Sequence, residues 1–129
     1  MFYDDLAVYG SFGGVVFAKE EGLNVAQALG PTHKNLILQN HGLLTCGGTV
    51  GEAAGFFIAL ERACHTQLLT EAATGPNTVG ASSNLKKTFV GEDEAAYTKK
   101  GTGSPEAMYR QFDPEYQLIL KETKGDFLT

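Results

Sequence analysis

One stretch of the chain decides the fold, and its residues 35–69 read NLILQNHGLLTCGGTVGEAAGFFIALERACHTQLL. The apolar run from Asn35 to Asn40 predicts a strand that is buried on both faces. The segment from Gly42 to Gly47 predicts the next strand or its turn. His41 would then lie at a bend between two strands, which raises the question of why a histidine stands there.

The second half of this stretch predicts a long helix. Thr49 and Glu52 have the spacing of a capping box, in which each side chain accepts a hydrogen bond from a free backbone N–H group. The residues that follow are mostly apolar at i, i+3 and i+4 spacing, and Gly75-Pro76 ends the pattern. We therefore predict one helix over Thr49 to Thr74, packed on a sheet that contains Asn35 to Asn40.

Shorter elements are predicted on either side. Valines after a glycine break predict a strand over Gly13 to Ala18, and helical spacing predicts a helix over Lys19 to Gly30. A short charged helix is predicted over Asn84 to Lys100. A last helix begins with Ser104 as N-cap and Pro105 at its first position.

The composition is that of an ordinary globular protein. Its 129 residues fit a single domain, with 43% hydrophobic and 19% charged residues. A formal net charge of −5 argues against a nucleic-acid-binding surface, because such a surface needs clustered Lys and Arg. No apolar run approaches the roughly 20 residues of a membrane span. Two cysteines make no disulfide framework, so we expect a cytoplasmic protein. From the charge and the lack of a long apolar run we expect no nucleic-acid or membrane partner.

The chain has three histidines, and a catalytic zinc site commonly uses three protein ligands plus water. Along one extended run, His33 and His41 would be separated by about 26 Å, which one ion cannot span unless the chain doubles back. His65 stands four residues after Glu61, a spacing typical of a pair on a helix surface. We therefore interpret His33 and His65 as structural or surface residues.

His41 has two interpretations, which the residues alone leave open. A histidine at a bend beside glycine exposes a ring nitrogen that a metal ion or a substrate oxygen could use. The alternative is a polar turn residue that needs only a hydrogen bond, and spacing alone favours this alternative.

A glycine-rich run, a cysteine and two acidic runs could also suggest a site, but each favours a structural or surface role. Gly10 to Gly14 lacks the fingerprint of a phosphate-binding loop and predicts a turn. Cys46 stands five residues from His41 without an orienting third group, so we expect a small core residue rather than a nucleophile. The acidic runs Asp4-Asp5 and Glu92 to Glu94 are expected to be solvated.

Taken in order, these segments resemble the class II aldolase/adducin family. In that family a buried strand leads to an Asn-His-Gly turn, a Leu-Leu-x-x-Gly strand and a long helix that starts with Thr-Val-x-Glu-Ala. The resemblance covers Phe2 to Glu71 and thins in the C-terminal third. It implies an α/β fold with a central, mostly antiparallel sheet flanked by helices, usually assembled as a tetramer.

The resemblance also implies a chemistry. Enzymes of the family cleave or form carbon–carbon bonds in small hydroxylated aldehydes, ketones or sugar phosphates, and some relatives epimerise or dehydrate. A divalent metal, commonly zinc, is held by three histidines and polarises the hydroxy-ketone oxygens, while a glutamate moves protons. His41 matches the third histidine ligand of this pattern.

The other residues of that site have no match in this chain. The family's two further ligands form a His-x-His pair upstream, and its acid/base glutamate lies earlier still. Neither His33 nor His65 matches the pair, and Glu52 matches the helix cap. We therefore expect residues 1–129 to be one domain, incomplete at its N-terminus, which resembles the C-terminal half of a family member and lacks a complete aldolase site.

Two alternatives stay open. The chain could be a non-catalytic, adducin-like module for self-association or protein binding, or a fragment with unrelated chemistry at His41 and Cys46. In each case we expect a homo-oligomer, because the predicted strands carry almost no charge that would protect an open sheet edge.

Overall fold

The computed structural model describes residues 1–11, 19–74 and 86–128, and it contains a small sheet beside a pair of long helices. The strands are β1 (Leu6–Tyr9), β2 (Asn35–Leu38) and β3 (Gly42–Thr45), in the sheet order β1-β2-β3. β1 runs parallel to β2, and β3 runs antiparallel to β2.

The α/β class is confirmed, but the sheet is mixed. One strand pair of the described sheet is parallel and the other antiparallel, so the predicted predominance of antiparallel pairs is confirmed only in part. The helix predicted over Lys19 to Gly30 is confirmed as α1 (Lys19–Leu29), and it lies in the crossover connection that a parallel pair needs. Gly30 follows α1 with a φ of 70°, a left-handed conformation that glycine adopts readily. The strand predicted over Gly13 to Ala18 lies outside the described residues.

β2 lies between the other two strands, and side chains on both of its faces are shielded from solvent. Leu36 and Leu38 on one face are buried, and on the other face Asn35 is buried and Ile37 half-buried. β1 instead alternates between exposed and half-buried side chains. Both predicted strands of the opening stretch are shorter in the structure at their C-terminal ends: β2 ends at Leu38, and β3 begins at Gly42 as predicted but ends at Thr45.

The predicted long helix is confirmed as α2 (Val50–Thr74). Its capping box forms as the sequence predicts: the Glu52 N–H donates to Thr49 Oγ1 at 3.1 Å. The Glu52 carboxylate in turn accepts a hydrogen bond from the Thr49 N–H. α2 packs on β2 and β3, which confirms the predicted contact between this helix and the sheet.

Two further helices follow residue 86. α3 (Glu92–Thr102) begins later than the charged helix predicted from Asn84. α4 (Pro105–Thr123) has the predicted N-cap, because Ser104 Oγ accepts a hydrogen bond from the Ala107 N–H at 3.1 Å. Among the described residues, no helix combines the length and apolarity that crossing a membrane requires.

Two glycines one turn apart let α4 approach α2 closely. A Cβ atom on Gly55 would overlap the backbone carbonyl of Met108, and one on Gly51 would lie 2.7 Å from the Tyr109 ring. Small residues four positions apart are a known signal of close helix approach. This crossing joins the two helices to the sheet in one core, whose buried hydrophobic residues are Leu36, Leu38, Phe56, Leu60 and Met108.

Candidate functional site

His41 lies in the tight turn that joins β2 to β3. Its backbone N–H donates to the Leu38 carbonyl at 3.0 Å, which closes a four-residue turn. Asn40, the third residue of this turn, has a φ of 61°, and asparagine tolerates that left-handed conformation better than most residues. The His41 residue is exposed. The predicted bend is therefore confirmed, and it presents His41 at the surface.

This turn is tied to the end of β1. The Gln39 N–H donates to the Tyr9 carbonyl at 3.0 Å. Because β1 and β2 are parallel, Tyr9 and Leu38 are register partners and both strands end at the same edge of the sheet. His41 thus stands at the carboxyl edge of the parallel pair, where open α/β sheets commonly bind ligands.

The opposite end of the β2–β3 hairpin is fixed to α2. The Thr45 hydroxyl donates to the Ala53 carbonyl at 2.8 Å, and the Cys46 N–H donates to the Lys34 carbonyl at 2.7 Å. Cys46 itself is exposed, so the prediction of a small core residue is wrong. The physical reason is that β3 ends at Thr45, which leaves Cys46 beyond the sheet.

Glu52 is the centre of this fixed end. Its side chain is almost fully buried, and it accepts hydrogen bonds from the Lys34 ammonium and, at 2.7 Å, from the Gly48 N–H. Burial alone would raise the pKa of Glu52, but the bonds from Lys34, Gly48 and Thr49 outweigh burial and hold that pKa below its ordinary value. Glu52 is therefore ionised at neutral pH and serves the fold.

Asp5 joins the same cluster from the start of β1. Its Oδ1 accepts from the Lys34 N–H at 2.6 Å, and its carbonyl accepts from the Asn35 carboxamide at 3.0 Å. Asp5 is buried, which corrects the prediction that Asp4-Asp5 is solvated. We call Asp5, Lys34, Gly48 and Glu52 the Glu52 cluster. Sequence reasoning missed the role of Lys34, because no local spacing relates it to Glu52 or Asp5.

The other two histidines lie away from the turn in structural or surface roles, as predicted. His33 Nδ1 is 2.9 Å from the Leu29 carbonyl, so its ring closes the end of α1. His65 is exposed on α2. Glu92 to Glu94 are exposed in the first turn of α3, as predicted. Of the predicted turn over Gly10 to Gly14, the described residues include only Gly10 and Ser11.

The described residues do not by themselves fit a divalent metal ion. Across residues 1–11, 19–74 and 86–128, no group of three or more His, Cys, Asp or Glu side chains could hold one. Structural and catalytic zinc sites use at least three protein ligands. His41 is thus a single candidate ligand, and we derive no metal-dependent step from the described residues alone.

Comparisons with known proteins agree with this geometry. The sequence profile of the Class II Aldolase and Adducin N-terminal domain matches residues 1–68. Decarboxylase NovR of Streptomyces niveus is 42% identical over 80 residues, which are 62% of this chain and 29% of that protein. Alpha-adducin of Rattus norvegicus is 33% identical over 122 residues, covering 88% of this chain and 15% of that protein.

A solved structure is similar over nearly the whole chain. The L-fuculose 1-phosphate aldolase from Glaciozyma antarctica PI12 matches with a TM-score of 0.75 and 35% sequence identity. The match covers 95% of this chain and 41% of that chain. This chain therefore spans less than half the length of each of these three relatives.

Proposed function

The chain belongs to the class II aldolase and adducin family, and we propose that it forms part of a divalent-metal-dependent lyase site to which His41 contributes one ligand. Zinc is the metal we propose. The reaction class is cleavage or formation of a carbon–carbon bond in a small hydroxylated carbonyl compound or sugar phosphate.

One observation carries this proposal, namely the exposed His41 in a tight turn at the carboxyl edge of the parallel strands. The turn is closed by the Leu38 carbonyl, and its neighbour Gln39 is bonded to the end of β1. These bonds fix the backbone that presents the imidazole, and a rigid ligand loses little entropy on binding a metal. The remaining ligands would come from residues other than those described.

The similarity to the fuculose phosphate aldolase supports the enzyme interpretation, because 35% identity and a TM-score of 0.75 over 95% of this chain indicate a shared overall fold. We propose that the same frame serves a related reaction here. The substrate of that relative is one candidate within the proposed class.

A chimera tests the proposal directly. The part of the fuculose phosphate aldolase that this chain covers is replaced by the matching residues of this chain. We expect the folded chimera to bind one zinc ion per chain and to cleave L-fuculose 1-phosphate. His41→Ala should abolish both, whereas the matched control His65→Ala, which removes an exposed imidazole from α2, should change neither.

A cooperative unfolding transition is checked first, so that misfolding is not mistaken for inactivity. A chimera that folds but binds no zinc, or one that keeps its zinc in His41→Ala, would exclude His41 as a ligand.

The second candidate function is a non-catalytic, adducin-like module for self-association or protein binding. Two observations favour it: no three potential ligands come together among the described residues, and several large apolar side chains of α2 and α4 are exposed. A folded chimera without zinc would support this candidate.

We further propose a homo-oligomer in the cytoplasm. Exposed apolar residues on two helices favour association, and the two free cysteines, Cys46 and Cys64, favour a reducing compartment. Light scattering tests the oligomer: a single mass near the 13.8 kDa of one chain at micromolar concentration would exclude it.

A further inference from the structure

A cavity of about 310 Å³ lies where α2, α4 and the short 3₁₀ helix Asp126–Leu128 meet. Its lining residues are Ile58, Phe112, Glu115, Tyr116, Ile119 and Phe127. The volume is at the lower end of the range of about 300–1,000 Å³ that is typical of small-molecule sites. We call this space the aromatic cavity, because three of its six lining residues are aromatic.

The three aromatic rings are close neighbours. The ring centroids of Phe112 and Tyr116 are 5.9 Å apart, and those of Tyr116 and Phe127 are 6.1 Å apart. The planes of the second pair are nearly perpendicular, at 76°, so these two rings do not form one flat stack. A ring attracts a cation that lies within about 6 Å of its centroid, because the ring faces are electron-rich. Since neighbouring centroids are separated by about that distance, one cation in the cavity can interact with more than one ring.

The charge of the aromatic cavity comes from Glu115. No Lys, Arg or His is among the lining residues. The Arg62 guanidinium donates to Glu115 Oε1 at 2.6 Å, whereas Glu115 Oε2 has no hydrogen-bond partner among the described residues. Arg62 therefore neutralises the carboxylate in part and holds it in place beside the rings. The cavity favours a cation, and the aromatic faces supply the larger share of the attraction.

The lining also determines which kind of cation fits. Only Glu115 and Tyr116 carry side-chain oxygen atoms, and the other four lining side chains are hydrocarbons. A primary ammonium group has three N–H donors, and leaving such donors unpaired in an apolar space costs free energy. A quaternary ammonium group has no N–H donor, and its methyl groups can pack against Ile58 and Ile119. The cavity therefore favours a quaternary ammonium group over a primary one.

We propose that the aromatic cavity binds a small, free quaternary ammonium compound of the choline type. Its trimethylammonium group contacts the rings of Phe112, Tyr116 and Phe127, and Glu115 provides the counter-charge. The small volume favours a free compound over a macromolecule that carries the same group. The formal net charge of −5 adds a weak, long-range attraction for any cation. This binding is independent of His41 and of the proposed lyase function.

Nuclear magnetic resonance on the full chain compares two ligands that differ only in methylation. The ¹⁵N-labelled chain is titrated with choline chloride and separately with ethanolamine hydrochloride, which has the same skeleton and charge but a primary ammonium group. We expect choline to shift the backbone amides of Phe112, Tyr116 and Phe127, with saturation in the millimolar range. Ethanolamine should bind about fivefold more weakly or less, because its N–H donors lack acceptors in the cavity.

Two variants test the two parts of the site. Phe127→Leu removes a partly exposed ring, keeps an apolar side chain and should weaken choline binding about fivefold. Glu115→Gln removes the counter-charge and should weaken it about twofold. The matched controls are Tyr97→Leu, an exposed ring on α3, and Glu122→Gln, an exposed carboxylate on α4. Neither control should change the affinity for choline.

Three outcomes would overturn the inference: no saturable shifts with choline, equal affinities for choline and ethanolamine, or an unchanged affinity in Phe127→Leu. The comparison of the two ligands uses the wild-type chain, so it decides even where a variant fails to fold.

Two further titrations distinguish the source of the quaternary ammonium group. One uses a peptide that contains trimethyl-lysine, and the other uses phosphatidylcholine vesicles. Weaker shifts of the same amides than with choline would support a free compound. Tighter binding of the peptide or of the vesicles than of choline would overturn that choice.

Discussion

The two ends of the β2–β3 hairpin differ in what surrounds them, although they belong to the same two short strands. At one end the buried Glu52 bonds to Lys34 and Gly48, and Asp5 closes the cluster from β1. At the other end the His41 N–H closes the turn on the Leu38 carbonyl, the Gln39 N–H joins it to β1, and His41 is exposed. One end therefore stabilises the fold, and we expect the other to tolerate substitution without unfolding.

This difference follows from burial. A charged side chain out of water must have partners, and Glu52 obtains them from Lys34 and from the two consecutive residues Gly48 and Thr49. An exposed side chain keeps its contact with water, so this end of the hairpin does not require a buried polar cluster. A scaffold that concentrates its polar stabilisation at one end leaves the other end available for binding.

The largest effect is expected from Glu52→Ala. The variant leaves the Gly48 N–H and the Lys34 ammonium without their acceptor, so we expect a loss of about 2–4 kcal/mol in the free energy of unfolding. The lower part of this range accounts for solvent around Lys34, whose side chain is 35% exposed. Urea denaturation measures the change.

The matched control is Glu61→Ala, which removes an exposed glutamate from the same helix. It should change the free energy of unfolding by less than about 0.5 kcal/mol. Equal losses in the two variants would mean that the Glu52 cluster does not stabilise the hairpin.

The next largest effect is expected where α4 holds α2 in place. A methyl group at Gly55 would overlap the Met108 carbonyl, so Gly55→Ala must separate the helices and should cost about 2 kcal/mol. Gly22→Ala on α1 is the control, because no atom lies within 4 Å of the added Cβ. There alanine's helix propensity should raise the free energy of unfolding by about 0.5–1 kcal/mol. Calorimetric melting of both variants tests the opposite signs.

A smaller effect is expected from pH at the fixed end. The folded pKa of Glu52 lies below its ordinary value of 4.5, which we take for the unfolded chain. Its contribution is therefore fully present above pH 4.5 and is lost as the pH falls through the folded pKa. The stability difference between the wild type and Glu52→Gln should shrink on acidification. A difference that grows as the pH falls would contradict this assignment.

Local patterns predicted the parts of the fold that depend on neighbours in sequence. The capping box of Thr49 and Glu52 and the N-cap at Ser104 each follow from residues three apart, and both are confirmed. The turn at His41 was predictable because a strand pattern ends before it and another begins after it.

Contacts between distant residues were not predictable in this way. Lys34 meets Glu52 across 18 positions and Asp5 across 29, and no periodicity relates such pairs. The same limit explains the error at Cys46, because the strand predicted to run to Gly47 ends two residues earlier, at Thr45.

The smallest effect on stability is expected from His41→Ala, at the exposed end of the hairpin. The backbone N–H that closes the turn remains, so the free energy of unfolding should change by less than about 0.5 kcal/mol.

We also expect the isolated chain to bind zinc weakly and without a defined stoichiometry, because a lone imidazole leaves the other coordination positions to water. Isothermal titration calorimetry of the wild type and His41→Ala measures this. One tight zinc site per chain that disappears in His41→Ala would mean that the turn at His41 carries a complete metal site of its own. The contrast between a structural end of the hairpin and an end with one candidate ligand would then be wrong.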